Sequence, residues 1–337
     1  MTEQARGALP KNEVVDLIAQ AVATDAASRG HARTNALKII APAKVNLSLA
    51  IGGTRPDGFH DVDTVLHALT LHDVLYMRLL PAVGGQECLQ VDLVCSARAG
   101  IEALTIDAQD NLVVRAVKLL AHKLGRTNNE RMQIELEKHI PAMAGLGGGS
   151  SDAAAALLGA AQLWGVAPDA AQVQEAAAEL GSDVPFFLQG GCARMTGRGG
   201  DFVATFEPIK RPIVLVKPEG GVSTAQAYRE FDADPVAIPG QIFTYLQSVA
   251  SADEVPPFNN LAPAAETLLP ELATIRAWAQ GCSGVRAVLL CGSGSATFVV
   301  CENVDVSLAL ASEAKKRGWW ARATSFSPLR AALVPAR

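Results

Sequence analysis

The chain has 337 residues, 49% hydrophobic and 19% charged, with 34 acidic against 29 basic side chains and a net charge of −5. This composition excludes disorder as the dominant state, and the acidic balance excludes a nucleic-acid binder that works through bulk positive charge. At about 150 residues per domain the length suits two domains. Aromatics make up only 5%, so the cores must rely on small-residue packing.

Residues 1–35 read as an N-terminal extension, in which Val14, Val15, Leu17, Ile18 and Val22 suit one short amphipathic helix. The acidic side chains Glu3, Glu13, Asp16 and Asp25 match neither a secretory signal nor an acid-poor transit peptide. No run approaches the roughly 18 apolar residues of a membrane span, so a soluble, cytoplasmic protein is expected. Strand text begins at Leu37 with LKIIAPAKVNLSLAIGG, followed by the turn TRPDGFHD around Pro56, Asp57 and Gly58. TVLHALTLHDVLYMRLL and ECLQVDLVC read as further strands. Asp110 is placed to cap a helix over NLVVRAVKLLAHKLG that stops at Gly125, and MQIELEKHI alternates as a strand. A glycine-rich loop then opens an alanine-rich helix that stops at Gly165. Another helix is predicted over Asp169 to Leu180.

The text restarts near residue 208 with the strand IVLVKPEGG, and helical segments are predicted near 261–280 and 305–317. Strands and helices interleave irregularly and without repeats, which favours an α+β fold over a doubly wound parallel sheet. The expected domains are 36–208 and 209–337. The cysteines Cys88, Cys95, Cys192, Cys282, Cys291 and Cys301 form no C-x-x-C pair and read as reduced structural thiols. His67, His72, His122 and His139 have no metal-ligand spacing, and the pair Trp319–Trp320 reads as packing.

The sharpest local feature is Gly145-Leu146-Gly147-Gly148-Gly149-Ser150-Ser151-Asp152, which runs straight into a helix. Glycines bring several backbone N–H groups close to one object, and a helix N-terminus adds partial positive charge. Two serines add hydroxyls, so the segment suits a phosphate cradle that needs few cationic side chains. No lysine follows the glycines as a Walker loop requires, and the glycine spacing is not that of a dinucleotide fold. Lys44 lies in the otherwise apolar APAKVNLSL, and Asp183 in GSDVPFFL, just after a helix end. Singly they read as an edge charge and a turn aspartate. Beside a phosphate cradle, they are the cation and the carboxylate that phosphoryl transfer to an alcohol needs.

PAMAGLGGGSSDAAA resembles the glycine-rich signature of the GHMP kinase superfamily. Within it, APAKVNLSLAIGGTRPDGFHDVDTV, GSDVPFFLQGGCARMTGRG and CGSGSATFVV are similar, in order, to the branch that acts on a cytidine diphosphate conjugate of methylerythritol. The likeness covers about 37–330. It implies a two-lobed fold: a ribosomal-protein-S5-like, ATP-binding N-terminal domain and a C-terminal α/β sandwich, with the active site in the cleft between them. It also implies ATP-dependent phosphorylation of the conjugate's C2 hydroxyl, in the non-mevalonate route to isoprenoid precursors. Mg²⁺ would accompany ATP without a dedicated protein ligand. The protein would be a monomer or weak homodimer with no nucleic-acid or membrane partner.

Carried onto this chain, the resemblance makes Lys44 and Asp183 the catalytic pair, with Asp183 the base. Pro141, Ala142, Met143, Ala144, Gly145, Leu146, Gly147, Gly148, Gly149, Ser150 and Ser151 would hold the ATP phosphates, with Asn111 and Lys138 on the adenine side. Asn46, Phe59, His60, Thr224, Tyr228 and the turn Gly292-Ser293-Gly294 would bind the second substrate. Phe59 and Tyr228 would stack on cytosine, and His60 would read its edge. Phe59 stands where most relatives carry Tyr, Ser182 where Ala is usual, and Asn259-Asn260 in place of Asn-Asp. The rival readings are a GHMP kinase for a sugar, homoserine or mevalonate-type alcohol, and a non-catalytic nucleotide-binding homologue.

Overall fold

In a computed structural model, the described residues are 36–81, 89–102, 107, 109–126 and 129–334. The helix expected around Val14–Val22 and the thiol of Cys88 lie outside them. Residues from Leu37 onward form one compact unit. Among the described residues no helix is long and apolar enough to cross a membrane.

The first sheet is built on two long strands, β1 (Leu37–Thr54) and β2 (His60–Pro81), joined by the turn read from Pro56-Asp57-Gly58. Most of both strands is buried, β1 continuously from Ala41 to Ile51. β3 (Gln90–Ala97) and β4 (Glu130–Lys138) extend the sheet on the β2 side, β4 antiparallel to β2 and β3 parallel to β4. β5 (Cys192–Thr196) pairs with the first part of β2, and β6 (Asp201–Phe206) pairs with β5. The second sheet is antiparallel, in the order β11 (Trp320–Ser325), β7 (Pro212–Lys217), β10 (Thr297–Cys301), β9 (Val285–Leu290). Two late segments return to the first sheet: β8 (Phe258–Asn259) and β12 (Ala332–Val334) both pair with β1.

α1 (Leu112–Lys123), α2 (Gly148–Leu163), α3 (Ala171–Leu180) and α4 (Val184–Gln189) pack with the first sheet around Ile39, Leu75, Met77, Leu120, Met132 and Phe187. The cap of α1 is Asn111, whose carboxamide accepts from the Val113 N–H at 2.9 Å, not Asp110. Both residues can cap, but only Asn111 stands immediately before the first helical residue. Gly125 follows with φ 63°, as a helix stop requires. α2 has no polar face along its middle, with Ala153–Ala156, Ala160 and Ala161 all buried. That is the pattern of a helix enclosed on all sides. A methyl on Gly159 would lie 2.4 Å from Met77 Sδ, so small residues set how closely α2 approaches the sheet.

α5 (Thr224–Ala233), α6 (Gln241–Leu246) and α7 (Ala262–Leu268) lie on the chain's return from the second sheet, followed by α8 (Glu271–Gln280) and α9 (Val304–Lys316). Ile275, Ala279, Leu310 and Ala314 from α8 and α9 cover one face of the second sheet. Its other face meets Val45 and Leu69 of the first sheet through Ile213, Leu215, Phe298 and Phe326. Trp319 is buried against Trp278 at 5.2 Å and donates to Glu271 at 2.6 Å, as expected of a packing residue. His67 is fully buried, its Nδ1–H donating to Ala68 O and its Nε2 accepting from the Ile209 N–H. Cys192, Cys291 and Cys301 are buried and, like Cys95 and Cys282, unpaired.

Candidate active site

Lys44 sits midway along β1, just past a slip in the β1–β2 ladder between Pro42 and Lys44. A proline gives no ladder N–H, and a bulge re-aims the residue beside it. The Lys44 N–H bonds Leu146 O of the glycine-rich loop at 3.0 Å, so strand and loop are tied at the backbone. The side chain is 6% exposed; its ammonium donates to Asn46 Oδ1 at 2.9 Å and lies 3.5 Å from Asp183 Oδ2. Asn46 in turn donates to Thr64 Oγ1 at 2.8 Å, and Thr64 donates to Ser48 O at 2.7 Å. This buried relay fixes the amide of Asn46 with its oxygen toward the lysine.

Asp183 occupies the cap position of α4 but makes no capping bond with its side chain. The tight turn from Gly181, closed by Val184 N–H to Gly181 O at 3.1 Å, leaves the carboxylate, 34% exposed, facing the lysine and the cleft.

The loop ahead of α2 is clamped on two sides. Met143 O accepts from the Ser295 N–H and Ala144 O from the Ala296 N–H, both at 3.1 Å, which docks the loop on the turn after β9. Gly145 and Gly147 have φ of 71° and 70°. A methyl on Gly145 would lie 1.8 Å from Cys291 O, and one on Gly147 2.7 Å from the Phe187 ring. Glycine is required at both by conformation and by space. α2 begins at Gly148, so the N–H groups of its first turn have no carbonyl partner within the helix, and Gly147 and Ser150 at this end line one cleft with Lys44 and Asp183.

A cleft of about 860 Å³ is lined by these groups. Of the residues singled out from sequence, Lys44, Asn46, Phe59, His60, Gly145, Gly147, Ser150, Asp183, Thr224, Tyr228, Gly292 and Ser293 line it together. Thr224 Oγ1 and Ser293 Oγ are 2.9 Å apart and link α5 to the glycine turn. His60 packs at 5.0 Å from Tyr228, whose phenol is pushed up to about 12 by burial and by the charge of Asp183. The exposed ring of Phe59 carries the Arg198 guanidinium 3.4 Å over its centroid.

Other expected residues stand elsewhere. Pro141 and Ala142 line a separate small cavity with Lys217 and Trp320. Leu146 and Ala144 are buried, Met143 is exposed, and Gly148, Gly149 and Gly294 support the loop and the turn without lining the cleft. Ser151 is fully buried; Ser150 alone of the two serines faces the cleft. Asn111 spends its oxygen on the α1 cap. Lys138 is enclosed between Asp73 and Asp152, donating to both. The two carboxylates hold this ammonium above the usual lysine range despite its burial, while burial raises Asp152 well above the carboxylate range.

The cleft is also lined by polar residues that sequence reasoning did not assign to it, among them Thr64, Arg198, Arg229 and Asp232. Asp232 follows Tyr228 by four residues on one helix, a spacing that puts both on one face. Arg198 lies between Gly197 and Gly199, both with positive φ, in the tight β5–β6 turn. Nothing local to the sequence shows that the turn folds over Phe59.

The GHMP kinases N terminal domain matches residues 111–191. With the loop–lysine–aspartate cleft, this defines an ATP-dependent small-molecule kinase of the GHMP class. A 4-diphosphocytidyl-2-C-methyl-D-erythritol kinase of Desulfitobacterium hafniense (strain Y51) is 35% identical over 289 residues, covering 85% of this chain and 94% of the relative. One of Nocardia farcinica (strain IFM 10152) is 39% identical over 283 residues, covering 81% and 87%. A crystal structure of 4-(cytidine 5'-diphospho)-2C-methyl-D-erythritol kinase superposes with a TM-score of 0.69 at 32% identity, covering 86% of this chain and 99% of that one. The chain belongs to the 4-diphosphocytidyl-2-C-methyl-D-erythritol kinase family.

Proposed function

We propose that the protein transfers the terminal phosphoryl group of ATP to the C2 hydroxyl of 4-diphosphocytidyl-2-C-methyl-D-erythritol, giving ADP and the 2-phosphate. The observation that carries this reading is the Lys44–Asp183 pair, 3.5 Å apart, in one cleft with the glycine-rich loop and with the His60, Phe59 and Tyr228 group. The names of the relatives supply the substrate. Asp183 accepts the hydroxyl proton as the oxygen attacks, and the Lys44 ammonium, 3.5 Å from that carboxylate, offsets charge on the incoming oxygen. Backbone N–H groups of the loop and of the first turn of α2 bind the phosphate oxygens. That is how a chain of net charge −5 can bind two anionic molecules.

Mg²⁺ fits as a companion of the nucleotide. Ser150 offers a hard hydroxyl oxygen on the cleft side, and among the described residues no group of three His, Cys, Asp or Glu forms a resident cage. When bound, the ion neutralises charge on the phosphate oxygens during transfer. The test is ADP release from Mg-ATP with the cytidine conjugate, mevalonate, homoserine and a hexose in parallel. Turnover is expected with the conjugate and little with the others; turnover of mevalonate or homoserine without the conjugate would overturn the reading.

A further inference from the structure

Behind the phosphate loop lies a carboxylate that does not line the cleft. Asp73 on β2 is fully buried, beside the point where the β2–β4 ladder ends at Val74 and Glu137. Its Oδ1 accepts from the His139 N–H at 2.5 Å and from the Ile140 N–H at 2.9 Å, the two residues that lead toward the loop. Its Oδ2 accepts from the Lys138 ammonium, which also donates to Asp152 Oδ2 at 2.6 Å. Asp152 follows the loop's two serines within α2 and is buried with its Oδ1 unpartnered, so its carboxylate is held through Oδ2. The ammonium also packs against the start of α2: a methyl on Gly148 would lie 3.4 Å from Lys138 Nζ. The entry to the loop and its exit into the helix are thus joined by one buried chain of contacts, from the Ile140 N–H through Asp73 and Lys138 to Asp152.

We infer that Asp73 is a positioning residue for nucleotide binding: through Lys138 and Asp152 it fixes the N–H groups of the glycine-rich loop and of the first turn of α2 in the arrangement that receives phosphate oxygens. This rests on the reading of that loop as the cradle for the ATP phosphates. A cradle made of backbone N–H groups works only if the donors are set before the ligand arrives, and glycines by themselves leave the backbone free. The Lys44, Ser295 and Ala296 N–H groups hold the middle of the loop, and Asp73 holds its two ends. A buried ion cluster contributes little net stability, because desolvation offsets much of the attraction. What this one supplies is a fixed spacing between the segment before the loop and the helix after it.

The test compares wild type with Asp73→Asn, Asp152→Leu and Asp152→Asn. Asp73→Asn keeps an oxygen for the two backbone N–H groups but turns the ammonium's acceptor into an amide donor. Asp152→Leu removes the other acceptor at similar volume, whereas Asp152→Asn retains an oxygen for it. Kd for Mg-ATP and for CDP is measured by calorimetry, with KM, kcat and Tm for each protein. Asp73→Asn and Asp152→Leu should weaken Mg-ATP by about tenfold or more, and kcat at saturating ATP should fall less than KM rises. CDP, a ligand of the acceptor side, should stay within about twofold, and Asp152→Asn should recover most of the ATP affinity. A general loosening of the fold would weaken both ligands alike. That result, an unchanged ATP affinity, or equal losses in Asp152→Asn and Asp152→Leu would overturn the inference, as would failure of both Asp73→Asn and Asp152→Leu to fold. ATP affinity that depends on Asp73 in a protein that turns over no conjugate would sink the proposed reaction and leave this inference standing.

Discussion

Asp183 shows how little of a residue's chemistry its type conveys. An aspartate just after a helix end commonly caps the next helix, yet here the side chain makes no capping bond and faces Lys44. Asp183→Asn keeps the shape and removes the carboxylate proposed as the base. A kcat at least about 10²-fold lower is expected, with ATP affinity within about threefold, read by steady-state kinetics and nucleotide titration. Lys138 is the opposite case. Its place before the phosphate loop suggested a nucleotide contact, whereas two buried carboxylates enclose it. The sequence could not reveal this, because Asp73 and Asp152 are 65 and 14 residues away.

Elements act here through their junctions. The loop before α2 is held from β1 by Lys44 N–H and from the second sheet's turn by the Ser295 and Ala296 N–H groups. Gly145→Ala forces a methyl toward a backbone carbonyl at a left-handed position, so the loop must shift. Displacement of a phosphate cradle by about 1 Å can cost about 10²-fold in kcat/KM, with KM for ATP rising, measurable against an unchanged far-UV spectrum. β2 is joined to the segment entering β7 by His67, whose imidazole is lowered to about 4 by burial. The unfolded chain binds a proton near 6.5 that the folded state refuses until about pH 4. Stability from this group is complete above 6.5 and is lost as pH falls toward 4, by roughly 3 kcal/mol. Urea unfolding at several pH values should show this slope, and His67→Phe should flatten it.

Across the whole molecule, the two sheets share one cleft because late segments return to the first strand. Asn260 is the clearest link: its side chain accepts from Ile51 N–H at 2.8 Å and donates to Ile51 O and Val236 O, each at 2.9 Å. It is 1% exposed, so Asn260→Ala leaves buried backbone groups unpaired. A loss of about 2–4 kcal/mol is expected in equilibrium unfolding, with activity falling only as the folded fraction falls. Asn259 beside it donates to Leu290 O and Gly292 O and steadies the glycine turn at the mouth of the cleft. The Asn-Asn pair is thus a bracket between β1 and the second sheet.

The sequence by itself determined the local parts: the long strands, the alanine-rich helix behind the glycine loop, the helix stops at Gly125 and Gly165, and the chemistry offered by Lys44 and Asp183. Periodicity, capping and backbone freedom act over a few residues and can be read from them. Only the tertiary structure decided which groups meet. It placed Arg198 on Phe59, Asp232 on His60 and Asp73 on Lys138, and it turned Ser151 inward while Ser150 stayed in the cleft. These contacts depend on ladder register, on close helix approach at Gly159 and on how the loops fold over the sheet. Those are long-range packing outcomes that no local pattern encodes.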